Sequence, residues 1–138
     1  MTPTVEERLR RLEDLEEIRA ITARYAKAVD REHPRRIDTG ALQEIVAPDA
    51  RWTWAAGDYD FIGRDAVIEG LLSSSVTFAM HTFSNPLITI DADTADATWT
   101  LWVALDQPAL RLQTENITYR RCGDTWVIAS IDVDVIRR

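Results

Sequence analysis

Four long runs of strand-forming sequence fill the second half of this chain: Phe78 to Ile90, Ala95 to Leu105, Ala109 to Arg121 and Trp126 to Ile136. Only Asp91-Ala92-Asp93-Thr94, Asp106-Gln107-Pro108 and Cys122-Gly123-Asp124-Thr125 separate them. Connections this short and turn-like are those of consecutive hairpins, so the runs are predicted to form one antiparallel meander. Whatever the first half contributes has to pack on that sheet.

The first half supplies helices. Val5, Leu9, Leu12, Leu15, Ile18, Ile21, Tyr25 and Val29 recur at steps of three and four, which predicts a helix from about Thr4 to near Asp30 with one stripe facing the core. Thr4 followed by Glu7 is a capping box, and Pro34 in the polar stretch Arg31-Glu32-His33-Pro34-Arg35-Arg36 forbids continuation. A shorter helix fits Thr39 to Ala47, opened by Asp38 or Thr39 and closed before Pro48. Arg51-Trp52-Thr53-Trp54 and Tyr59-Asp60-Phe61-Ile62 read as two arms of a hairpin turning at Gly57-Asp58, with both tryptophans on one face. Helical spacing returns from Arg64 to Leu72, and Ser73-Ser74-Ser75 breaks it.

Helices, a small hairpin with a helix, then a meander of long strands describes one α+β domain, with the helices on one face of a strongly curved, mostly antiparallel sheet. Such a sheet, covered on one side, encloses a conical cavity. At 138 residues the chain is large enough to close one core without disulfides or a metal. Its formal charge of -7 opposes nucleic acid and anionic bilayers as partners. No apolar run has membrane-spanning length and no signal region opens the sequence, so a cytoplasmic location is expected. Cys122 sits in a turn with no second cysteine to pair with. No metal-ligand spacing or glycine-rich phosphate loop is present, and neither metal nor cofactor is expected.

Several segments in this order carry a family likeness: Ile18-Arg19-Ala20-Ile21-Thr22-Ala23-Arg24-Tyr25 leading to Asp30, Val46-Ala47-Pro48-Asp49-Ala50-Arg51-Trp52, Gly63-Arg64-Asp65-Ala66, His81 to Pro86, Asp93-Thr94-Ala95 with Trp99, and Tyr119-Arg120-Arg121 with Trp126. Over nearly its whole length the chain resembles the SnoaL-like branch of the nuclear transport factor 2 (NTF2-like) superfamily. The resemblance implies a cystatin-like cone and a function among dehydratases, dehydrochlorinases, isomerases, cyclases, epoxide hydrolases and binding modules. The pattern is most similar to scytalone dehydratase, bile-acid 7α-dehydratase and hexachlorocyclohexane dehydrochlorinase, whose sites pair an aspartate near the end of helix 1 with a strand histidine. Asp30 and His81 match those positions, and Tyr25 matches a tyrosine five residues before the aspartate. A further strand aspartate of the bile-acid enzyme falls at Val103, and the ketosteroid-isomerase base falls at Trp54, which disfavours that isomerase chemistry.

Of the two histidines, His33 lies in the polar loop, which leaves His81. Strand parity puts His81, Phe83 and Asn85 on one face. A carboxylate beside the ring stabilises the imidazolium and fixes the tautomer, leaving the outer nitrogen to accept a substrate proton. On an ideal helix Asp30 lies about 140° around from Tyr25, so the last turn has to loosen for both to reach a cavity. Tyr25 is either a core tyrosine or a donor to a developing oxyanion. The expected catalytic set is His81, Asp30 and Tyr25.

Trp52, Trp54, Tyr59, Phe83, Asn85, Trp99 and Asn116 are expected to bind substrate. Asn116 enters because Leu110, Leu112, Thr114, Asn116 and Thr118 share a parity suited to a cavity face, and the resemblance to SnoaL-type cyclases keeps Asp132 in view. The functional expectation is a cofactor-independent lyase, a dehydratase, acting on a hydrophobic polyketide-, steroid- or terpenoid-like small molecule. The same pair would serve an isomerase or cyclase, and a non-catalytic ligand-binding or dimerisation module is the alternative from another class. A homo-oligomer, dimer or trimer, is expected.

Overall fold

The computed structural model describes residues 2–54, 59–106 and 109–137. Helix α1 (Val5–Val29) opens with the capping box: Thr4 Oγ1 accepts from the Glu7 N–H, and Glu7 reaches back to the Thr4 N–H. Strand β1 (Arg31–Glu32), α2 (Thr39–Ile45), β2 (Val46–Trp54), β3 (Tyr59–Ile62) and α3 (Arg64–Leu72) follow. The meander is β4 (Phe78–Asp91), β5 (Thr94–Leu105), β6 (Ala109–Cys122) and β7 (Thr125–Arg137). Among the described residues the strands form one sheet in the order β1-β4-β5-β6-β7-β2-β3. Every pairing is antiparallel except β2 with β7. The result is a cystatin-like α+β fold in which helices pack on a strongly curved sheet. No helix among the described residues is long and apolar enough to cross a membrane.

Three expectations need correction. The apolar stripe of α1 does not face the core along its length: Val5, Leu9 and Leu12 are exposed, and the buried stripe begins beyond them with Ile18, Ile21, Tyr25 and Val29. The first turns simply run past the sheet they would need to cover. Val46 and Ala47, expected to end the second helix, are instead the buried start of β2, because Val46 turns extended (φ -100, ψ 132) and pairs with Ile128 of β7. Arg31 and Glu32, expected in a loop, add an edge strand to β4 opposite Ala79 and Phe78. The turn expected at Gly57-Asp58 lies outside the described residues.

The core joins α1 and α2 to the concave face of the sheet through Ile18, Ile21, Leu42, Ile45, Ile117, Ile128 and Ile131. Buried polar groups in it are paired, as the cost of desolvation requires. Tyr119 Oη lies 2.7 Å from Thr22 Oγ1 and accepts from Trp99 Nε1 at 3.0 Å. Asp14, buried in α1, takes both of its oxygens to Arg121 Nη2 at 2.9 Å, and Trp126 Nε1 donates to it at 3.3 Å. These bonds set the height of α1 over β5, β6 and β7, and so the position of its C-terminal end.

Candidate active site

The end of α1 is where the site begins. Asp30 is the C-cap: its N–H still donates to the Ala26 carbonyl at 3.1 Å, but its own backbone is extended (φ -61, ψ 144). That break in helical geometry carries its side chain away from the direction a continued helix would impose, toward β4. There Asp30 Oδ1 accepts from the His81 backbone N–H at 2.8 Å and lies 2.9 Å from His81 Nδ1. The tautomer that donates from Nδ1 to this carboxylate oxygen has Nε2 as its acceptor nitrogen. Asp30 is buried, while the His81 ring retains 17% exposure, so the carboxylate is sheltered and the ring is reachable.

His81 forms part of the wall of a cavity of about 440 Å³. Its other walls come from both ends of the sheet: Trp52, Trp54, Tyr59 and Phe61 from the hairpin, Val103 from β5, and Arg111, Gln113 and Glu115 from β6. Tyr25 closes it from α1. Trp52 stacks on Phe61 with ring centres 5.5 Å apart, and Tyr59 lies 5.4 Å from Trp54, so the hairpin presents a continuous aromatic surface. A volume of this size, with an aromatic panel on one side and polar side chains such as His81, Arg111, Gln113 and Glu115 on the other, suits a small-molecule site.

Tyr25 differs from Tyr119. The Tyr119 hydroxyl is satisfied within the core and burial pushes it up to about 12, whereas the Tyr25 hydroxyl has no hydrogen-bond partner among the described residues. Burial, and then the nearby Glu115 carboxyl, hold Tyr25 well above the usual phenol range, so it stays an O–H donor. Glu115 is itself buried, with Oε2 unpartnered, and desolvation pushes its carboxyl up to about 8. Near neutral pH it is mainly a carboxylic acid.

The structure brings Tyr25, His81, Trp52, Trp54 and Tyr59 to one cavity, and sets Asp30 behind His81, buried and outside the lining. It leaves out others. Asn85 sits where the β4–β5 register shifts between Ser84 and Leu87; with φ 51 it leaves the strand alternation and is exposed. Trp99 is a core side chain bonded to Tyr119, and Phe83 packs between Tyr25 and Trp99 at 6.3 and 5.8 Å without reaching the cavity wall. Asn116 is exposed and accepts from Thr98 on the outer face. The inward parity of β6 is the opposite one, carrying Arg111, Gln113, Glu115, Ile117 and Tyr119. Ile117 and Tyr119 were the available signal, since large apolar residues mark the buried face and place Glu115 and Gln113 beside them. Asp132 is also outside, accepting from Thr53 Oγ1 at 2.6 Å.

A sequence profile of the SnoaL-like domain matches residues 10–132. The chain belongs to the SnoaL-like domain family. Solved structures similar to this SnoaL-like domain include an NTF2-like protein with a cystatin-like fold from Novosphingobium aromaticivorans, at 23% identity and TM-score 0.79 over 99% of this chain and 92% of that one. Another is hexachlorocyclohexane dehydrochlorinase LinA-type3 from Novosphingobium barchaimii LL02, at 18% identity and TM-score 0.78, covering 93% and 90%. A third is a candidate scytalone dehydratase from Novosphingobium aromaticivorans DSM 12444, at 15% identity and TM-score 0.74, covering 91% and 85%. At these identities the likeness shows the fold. The comparison with curated protein sequences found no match.

One backbone position sets the shape of the cavity in this SnoaL-like domain. A Cβ at Gly70 of α3 would come within 2.5 Å of the Phe61 ring, far inside contact distance. Gly70→Ala is therefore expected to push Phe61 inward and lower the affinity for bulky aromatic ligands about tenfold or more, while the Asp30–His81 bond stays intact. Ligand titration with a crystal structure of the variant checks both parts.

Proposed function

We propose that this protein is a cofactor-independent lyase, a dehydratase, acting on a hydrophobic polyketide-, steroid- or terpenoid-like carbonyl compound. The observation that carries the reading is the bond between Asp30 Oδ1 and His81 Nδ1 at the wall of an aromatic cavity. His81 Nε2 takes a proton from the carbon next to the substrate carbonyl, Asp30 stabilises the imidazolium that results, and the Tyr25 hydroxyl donates to the developing oxyanion. The imidazolium then returns the proton to the departing hydroxyl, which leaves as water. The dehydrochlorinase and the candidate scytalone dehydratase among the structural relatives support an elimination.

Mass spectrometry of the product, starting from a ligand that co-purifies with the protein, tests this reading. Loss of one water is expected. An unchanged mass means that the same pair performs isomerisation or ring closure instead. A wild-type rate in folded His81→Ala protein would remove the mechanism altogether.

The proposal extends to assembly as a homo-oligomer, a dimer or trimer. Met80, Trp102 and Leu110 are exposed on neighbouring strands, brought together by the pairs Met80↔Ala104, Ala104↔Leu110 and Trp102↔Leu112, and form an apolar patch on the outer face of the sheet. Light scattering is expected to give a multiple of the chain mass, reduced in Trp102→Glu. A monomeric mass for the wild type would contradict it.

A further inference from the structure

Glu115 has no part in the mechanism above, yet it is the least expected group in the cavity. It is a buried carboxyl in the wall, one of its oxygens has no partner, and its raised affinity for the proton comes from desolvation alone. An unpaired polar group of this kind costs stability unless something uses it.

The other titratable or charged groups of the cavity wall are Tyr25 from α1, Arg31 from β1, Tyr59 from β3, His81 from β4 and Arg111 from β6. The residues paired with Glu115 on β5 and β7 are Trp99 and Val133, which do not titrate. Arg31 is committed to the carbonyls of Leu71 and Val76, at 2.6 and 3.4 Å. Arg111 lies with its guanidinium 5.4 Å from the Trp54 ring centre. Glu115 makes both Tyr25 and Tyr119 harder to ionise, but Tyr119 lies in the core with its hydroxyl paired, whereas Tyr25 lines the cavity with its hydroxyl without a partner among the described residues.

We propose that Glu115 and Tyr25 form a two-donor pocket for one substrate oxygen, so that the cavity selects enolisable carbonyl compounds and Glu115 is a catalytic residue. Two neutral O–H groups pointing at one oxygen stabilise negative charge there better than they stabilise a neutral carbonyl, which is the differential interaction catalysis requires. When His81 removes the adjacent proton, the C–H electron pair becomes the new C=C bond and the carbonyl π pair moves onto oxygen. Both donors strengthen their bonds to that oxygen and neither has to give up its proton. A charged Lys or Arg in the same place would bind an anion in the ground state as well. A carboxylate would repel the oxyanion, so the protonated form of Glu115 is the functional one.

The catalytic role rests on the proposed His81 chemistry, but the donor pocket can be tested without it. A phenol is a stable enol, so 4-nitrophenol serves as the probe and nitrobenzene, which shares the nitro group but lacks the phenolic oxygen, as its control. Isothermal titration near neutral pH is expected to show the wild type preferring 4-nitrophenol by at least about tenfold. That preference should fall to near unity in Glu115→Leu, be reduced but not lost in Glu115→Gln, which keeps an amide donor, and remain in His81→Ala. Nitrobenzene affinity should be the same in the wild type and Glu115→Gln, which separates a donor from a packing role. No preference in the wild type, or the full preference in Glu115→Gln and Glu115→Leu alike, overturns the donor pocket. Loss of the preference in His81→Ala assigns the oxygen to the histidine and overturns it as well. An intact donor pocket with a wild-type turnover rate in His81→Ala would instead strike only the proposed elimination.

Discussion

Glu115→Gln is expected to be more stable than the wild type by roughly 3 kcal/mol near neutral pH, with a difference that grows as the pH rises. The native carboxyl holds its proton up to about 8, because burial penalises the charge, whereas in the unfolded chain a glutamate releases it near 4.3. Between those values the native state binds one proton more than the unfolded state. Stability then falls with rising pH, by about 1.4 kcal/mol per unit for this one group, and levels off once the native carboxyl also ionises. Below the unfolded value the contribution is fully present and the two proteins should converge. Glutamine has nearly the same shape and no charge to lose, so it removes this slope while other titrating groups cancel in the comparison. Denaturant unfolding of both proteins at several pH values from 4 to 9 measures it, and a difference independent of pH would show that Glu115 is ionised in the native protein.

The second large effect belongs to the pair at the end of α1. His81→Ala is expected to lower kcat/KM for the native substrate by roughly 10²–10⁴, the usual range for a positioned general base. Asp30→Asn should keep an acceptor oxygen for the His81 backbone N–H, since the side chain has the same shape, and so leave the fold nearly intact. What it loses is the negative charge that stabilises the imidazolium. Because the carboxylate acts through the ring, the double variant should be little worse than His81→Ala alone, as is found for groups that work as a unit. Multiplying losses in the double variant would mean that Asp30 and His81 contribute separately. Thermal unfolding of each variant alongside the kinetics distinguishes lost chemistry from lost fold.

Much of the fold was legible because its signals are periodic or local. The capping box at Thr4, the breaks at Pro34 and the serine run, and the turns between long strands each act within a few residues, and the observed elements begin and end close to them. Where an edge depended on a distant partner the sequence was a poor guide. Val46 and Ala47 fit the short helix locally, but pairing with β7 draws Val46 into β2, and Arg31–Glu32 becomes a strand because β4 runs beside it.

The site divides in the same way. Asp30 and His81 were reachable through their positions in the family pattern, and the loosening of the last helical turn that their meeting demanded is the C-cap geometry seen at Asp30. Asn85 and Asn116 were misplaced because strand alternation was extended past a register shift in β4 and started on the wrong face of β6. The second error also hid Glu115. Alternation shows only that two sets of residues face opposite ways, and Leu110 and Leu112 made the outer set look like the inner one.

The contact between Gly70 and the Phe61 ring bears on how a protein like this changes what it accepts. The Asp30–His81 pair sits where α1 meets β4, while the aromatic panel hangs on β2, β3 and α3 at the far edge of the sheet order. A one-carbon change on α3 reshapes the panel without reaching the dyad. On the proposed mechanism, reaction and recognition are separately adjustable, and altered ligand preference can be sought by randomising positions 52, 54, 59, 61 and 70 while Asp30 and His81 are left untouched.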